Sequence, residues 1–163
     1  MRRAGLVAVA ALLLAAPAWG ATITRHATTA TFRLTLAVGP AETMYTPAEV
    51  KAKHPKTGEV MVGGSTSMGS MPMGGVNHHL EVRIVRRATG KVVTNAKPSI
   101  SLTDTTPMGG MGATQKVDAM AMQGIGEGIS DLHYGDNVEL SAGHSYKVAV
   151  TVNGEKASFT FRV

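Results

Sequence analysis

The strictest constraint on this chain is a two-residue rhythm of apolar side chains, laid down in short runs between turn signals. Phe32, Leu34, Leu36 and Val38 alternate with polar or small residues, as a strand buried on one face requires. Leu80, Val82 and Ile84 repeat the rhythm against Glu81 and Arg83. Further runs are Ile100 with Leu102, then Val117, Ala119 and Ala121, then Tyr146, Val148, Val150 and Val152, and finally Ala157, Phe159, Phe161 and Val163. Thr89-Gly90, Asn153-Gly154 and the glycines from Gly124 to Gly128 punctuate them, and Asn153-Gly154 predicts a tight terminal hairpin. A helical turn fits only residues 47–52, where Thr46 can cap and Pro47 suits the first helical position. About seven short strands predict an all-β fold, an Ig-like antiparallel β-sandwich.

Leu140, Gly143, Tyr146 and Val148 have the spacing of a tyrosine corner, in which a phenol at the start of a late strand bonds back to the preceding turn. The alternative is a tyrosine that fills the core, and either reading keeps Tyr146 structural. His144 is expected to pack beside it.

The first residues predict export. Arg2 and Arg3 form a positive n-region, Leu6 to Ala16 an apolar stretch, and Ala18-Trp19-Gly20 a small-residue cleavage site. The organisation expected is a signal peptide over 1–20 and one sandwich domain over 21–163, in the periplasm. Cleavage would remove two of the charges behind the net +5, leaving a mildly basic chain with 4% aromatic residues. Nucleic acid is therefore not an expected partner. With no cysteine, the fold has no disulfide framework and must rest on its hydrophobic core. The same zero excludes thiolate nucleophiles, redox pairs and Cys-ligated zinc.

No enzyme is expected. The sequence has no nucleophile elbow and no helical pair of metal histidines, and the Gly124 to Gly128 glycines lack the Lys-Ser/Thr ending of a phosphate loop. What stands out instead is methionine in polar surroundings. Two segments, 63–76 and 107–114, are Gly/Met-rich loops without apolar period, and the first carries Met68, Met71 and Met73. An exposed methionine gains nothing from burial, whereas its thioether is a soft ligand that selects Cu(I). Low-complexity filler is the plainer explanation of these loops. Histidine joins methionine on the strands: His79 opens the run through Ile84, Met120 and Met122 share one face of theirs, and His133 follows a glycine-rich loop.

His79-Leu80-Glu81, the Met120/Met122 strand and His133-Tyr134-Gly135-x-Asn137 resemble the copper-site segments of the periplasmic high-affinity iron-transport protein family. The resemblance covers about residues 76–163. It implies an Ig-like sandwich that binds copper through Met and His, dimerises, and works with a membrane iron permease or another periplasmic metal protein. Residue by residue it implies His79 and His133 as imidazole ligands, Met122 or Met120 as the thioether, and Glu81 as a nearby acid. The family's further histidine has no matching motif here, leaving His144, His78 or a loop methionine as candidates. The implied cofactor is copper, as Cu(I) or Cu(II), with iron as a second metal. A function of a different class, a metal-free Ig-like interaction module whose Met-rich loops contact a partner protein, fits the same composition.

Overall fold

The computed structural model describes residues 22–62, 75–107, 112 and 114–163. The proposed signal peptide, Met68, Met71 and Met73, and most of both Met-rich loops lie outside the described residues. Those described form an all-β sandwich of two sheets. The larger sheet has seven strands in the order β1 (Ile23–Thr28), β2 (Phe32–Pro40), β5 (His78–Arg86), β9 (His133–Val138), β8 (Met120–Gly124), β4 (Glu59–Met61) and β3 (Met44–Tyr45). The smaller runs β11 (Glu155–Arg162), β10 (Ser145–Val152), β6 (Ser99–Asp104) and β7 (Thr114–Val117). All pairings are antiparallel except β3 with β4. The short helix α1 (Pro47–Lys53) makes that parallel crossover. No helix among the described residues is long and apolar enough to cross a membrane.

The two-residue rhythm becomes the core. Phe32, Leu34, Leu36, Val38, Leu80, Val82 and Ile84 from the large sheet meet Ile100, Leu102, Val148, Val150, Phe159 and Phe161 from the small one, all buried. Val152 pairs with Glu155 across Asn153-Gly154, whose φ angles of 49° and 81° are the left-handed pair that a tight hairpin needs. Thr46 caps α1 in a reciprocal box with Glu49. The Tyr146 hydroxyl accepts a hydrogen bond from the Ser141 N–H at 2.7 Å, completing the tyrosine corner, and His144 stacks on Tyr146.

Two expectations change. Among the described residues there are eleven strands, not about seven: β1, β3 and β4 fall on none of the apolar runs, β3 and β4 being only two and three residues long. The Val117, Ala119, Ala121 run is not one strand: the chain leaves the small sheet after Val117 and joins the large one at Met120, with all three side chains still turned to the core. His133, after the glycine-rich loop, begins β9, which continues through Val138.

Candidate metal centre

Strand parity puts a second set of side chains on the far face of the large sheet. In β5, Leu80, Val82 and Ile84 enter the core, so His79 and Glu81 face away from it. In register, His79 lies opposite Asn137, Glu81 opposite Gly135, His133 opposite Met122, and Met122 opposite Met61. Glu59 of β4 pairs with Met44 of β3. Five strands thus display Met44, Glu59, Met61, Met120, Met122, His133 and His79 on one surface. Gly135 lets two of them close up: a Cβ there would collide with the Leu80 carbonyl of β5.

Three of these side chains converge. One ligand atom from each of Glu59, His79 and His133 lies within 4.8 Å of the others. Their exposures are 6%, 4% and 1%, so all three are buried. Glu59 Oε2, His79 Nε2 and His133 Nε2 are the buried side-chain polar atoms without a hydrogen-bond partner among the described residues. A buried polar atom left unpaired costs about 1–3 kcal/mol, and three of them facing one point is the pattern of a ligand set.

The other ring nitrogens show how the histidines are held. Asn137 Oδ1 accepts the Glu42 N–H at 3.1 Å, while Asn137 Nδ2 donates to the Glu42 carbonyl at 2.7 Å. That pair fixes the amide, so His79 Nδ1, 3.1 Å from the same Oδ1, must be the donor. His133 Nδ1 lies 3.0 Å from the Asp131 carbonyl, which can only accept, and so donates as well. Both imidazoles therefore carry their proton on Nδ1 and turn a free Nε2 lone pair inward, the arrangement that outer partners impose on metal-binding histidines. His133 Nε2 and Glu59 Oε2 stand 3.5 Å apart. Two donors each about 2.0–2.2 Å from a shared four-coordinate ion are separated by about that distance.

Electrostatics point the same way. Burial, helped by nearby His133 and against the Asn137 hydrogen bond, lowers the His79 pKa to about 4, keeping the ring neutral. Burial raises Glu59 to about 7; His133 opposes this, and the carboxylates of Glu42, Asp131 and Glu81 add to it. Glu81 is also raised, chiefly by burial, and its Oε2 lies 3.5 Å from His133 Nδ1. The site withholds water from a carboxylate and surrounds it with others, and a cation relieves both penalties.

Of the residues named from the sequence, the structure brings His79, His133, Met120, Met122 and Glu81 onto one face. It adds Glu59, which sequence reasoning missed. The one trace is a spacing, Glu59-x-Met61 matching His79-x-Glu81 and Met120-x-Met122, which three residues are too few to mark as a strand. Two candidates for the further ligand are placed elsewhere. His78 falls on the opposite face of β5 and contacts Asn77 Oδ1 at 2.7 Å. His144 precedes β10 of the small sheet and holds Asp104 Oδ2.

The fold and site together define a β-sandwich carrying a buried His/Glu group backed by methionine. Comparison with family models, with curated proteins and with solved structures finds no match.

Proposed function

We propose that this is an exported copper-binding protein whose centre is built from Glu59, His79 and His133 with Met122 beside them. The observation that carries the reading is the convergence of three buried, unpartnered ligand atoms whose imidazoles are both set with Nε2 inward. Imidazole nitrogen argues against calcium and magnesium, which take oxygen ligands. Among first-row divalent ions Cu(II) binds such N/O sets most tightly. The carboxylates around Glu59 make the surroundings harder than the sequence suggests, so preference for copper rests on this order and on the adjoining thioethers rather than on softness alone.

Asn137 and Asp131 orient the rings, Glu59 supplies the anionic ligand, and burial excludes water. When bound, copper would supply soft-metal coordination and one-electron redox capacity. The resemblance of the 76–163 region extends the proposal to metal sequestration or delivery in the periplasm, in support of iron uptake, with a membrane permease as partner. Metal analysis of protein purified from copper-supplemented cells, followed by competition with zinc, tests the reading. The expected result is one copper per chain at the centre that equimolar zinc does not displace. Protein without metal, and without binding on titration, would favour the metal-free interaction module.

A further inference from the structure

The four methionines among the described residues, Met44, Met61, Met120 and Met122, all fall in one cluster, with Met44, Met61 and Met122 at 7%, 3% and 0% exposure. Among the described residues the main core contains none. Methionine used as packing filler would be spread through both, since leucine, isoleucine and valine meet the same demand with better-defined rotamers. Its confinement to the patch that adjoins the unpartnered ligand atoms calls for a reason particular to sulfur.

The register supplies one. Met44 is the cross-strand partner of Glu59, and Met122 that of His133; Met61 is the partner of Met122 and lies two residues from Glu59 on the same face. In the two antiparallel pairs, Met61 with Met122 and Met122 with His133, directly opposed Cβ atoms are about 4.5–5.5 Å apart, and Met44 sits beside Glu59 in the parallel pair. The thioethers thus flank the Glu59 and His133 side of the centre, with β4 contributing both a carboxylate and a sulfur.

We infer that Met44 and Met61 join Met122 as a soft half of the centre that takes monovalent copper, beside the nitrogen and oxygen half that takes the divalent ion. Thioether sulfur prefers Cu(I), whereas imidazole with carboxylate suits Cu(II). A monovalent ion among neutral sulfurs also carries a smaller desolvation cost than a divalent one in the same apolar setting. The centre then accommodates either oxidation state without opening the fold. This inference rests on the metal reading above.

The test uses full-length protein in which Met68, Met71, Met73, Met108 and Met111 are serine, so that loop thioethers do not compete. Cu(I) and Cu(II) affinities are measured separately, against a chromogenic Cu(I) chelator under anaerobic reductant and against an amino-acid chelator in air. The expected result is that the M44L/M61L pair lowers Cu(I) affinity by at least about tenfold while Cu(II) affinity moves far less. Leucine for methionine keeps volume, so the fold should survive. X-ray absorption of the Cu(I)-loaded parent should show sulfur scattering, giving a readout independent of the substitutions. Unchanged Cu(I) affinity in M44L/M61L, or Cu(I) without sulfur neighbours in the parent, overturns the inference while Cu(II) binding leaves the metal reading standing. A parent that binds neither ion overturns both.

Discussion

The two faces of the seven-stranded sheet are made by the same strands and obey opposite rules. On the inner face Leu80, Val82, Tyr134 and Val138 are apolar or fully bonded: the Tyr134 hydroxyl donates to the Val93 carbonyl and accepts from the Ala96 N–H. On the outer face His79, Glu59 and His133 are as deeply buried yet leave three ligand atoms unpaired. Burial alone therefore does not distinguish structure from function here. What distinguishes them is whether the buried polar atoms are satisfied, and a sheet with a paid-up inner face can carry that deficit on its outer one.

The neighbours Leu80 and His79 break the comparison most sharply, because they share a strand and differ in face. Leu80→Ala should cost about 2–5 kcal/mol of stability through the cavity it leaves, with the metal affinity of the folded protein unchanged. His79→Ala should cost under about 2 kcal/mol, because removing an unpartnered nitrogen offsets part of the lost packing, yet it should weaken copper binding by at least about tenfold, leaving one imidazole on the ion. Denaturant unfolding paired with copper titration reads both. Equal losses of stability and of metal from the two variants would erase the distinction.

Glu59→Met should act with a smaller and opposite sign. Replacing a buried carboxylate by a thioether of similar size should stabilise the metal-free protein by about 1 kcal/mol or more. The same change should remove the stabilisation that copper gives the wild type, about 2.7 kcal/mol at a hundredfold excess over Kd. Unfolding curves with copper and with a chelator would show the two curves cross. A variant less stable than the metal-free wild type would mean that Glu59 is a satisfied structural residue.

The smallest effect belongs to the other sheet. Asp104 accepts from His144 and from the Thr106 N–H, and the His144 contact first holds its pKa down at about 2. A carboxylate lowered in the folded state adds stability above its unfolded value near 4, and loses it as pH falls from there toward 2. Asp104→Asn should therefore lower Tm slightly at neutral pH, flatten the acid limb, and leave copper binding untouched. Acid unfolding followed in both proteins checks the slope.

The inner face was legible because alternation along strands of eight or nine residues is a strong signal, and β2, β5, β10 and β11 lie where it falls. The short strands β3 and β4 were not, since two or three residues carry no period. That is why Glu59 escaped: its strand is too short to announce itself, and only pairing with β8 brings it to the histidines. His133 was legible as a ligand type but not as a buried one. On β9 the alternation pairs Tyr134 and Val138 with Asp136, and Gly135 between them looks like a turn until the close approach of β5 explains it. Asn137 in the same motif is a positioning residue whose purpose, fixing the His79 tautomer, depends on a Glu42 backbone contact 95 residues away in sequence.

The central claim is that His79 and His133 turn Nε2 toward one ion held with Glu59. Electron paramagnetic resonance of the protein loaded with one equivalent of Cu(II) tests it most directly, with nitrogen couplings as the readout. Two imidazole nitrogens should be coupled to the copper in the wild type, one in His133→Ala or His79→Ala, and both should persist when Met68, Met71 and Met73 are serine. A spectrum without imidazole coupling, or one unchanged in both histidine variants, would contradict the account.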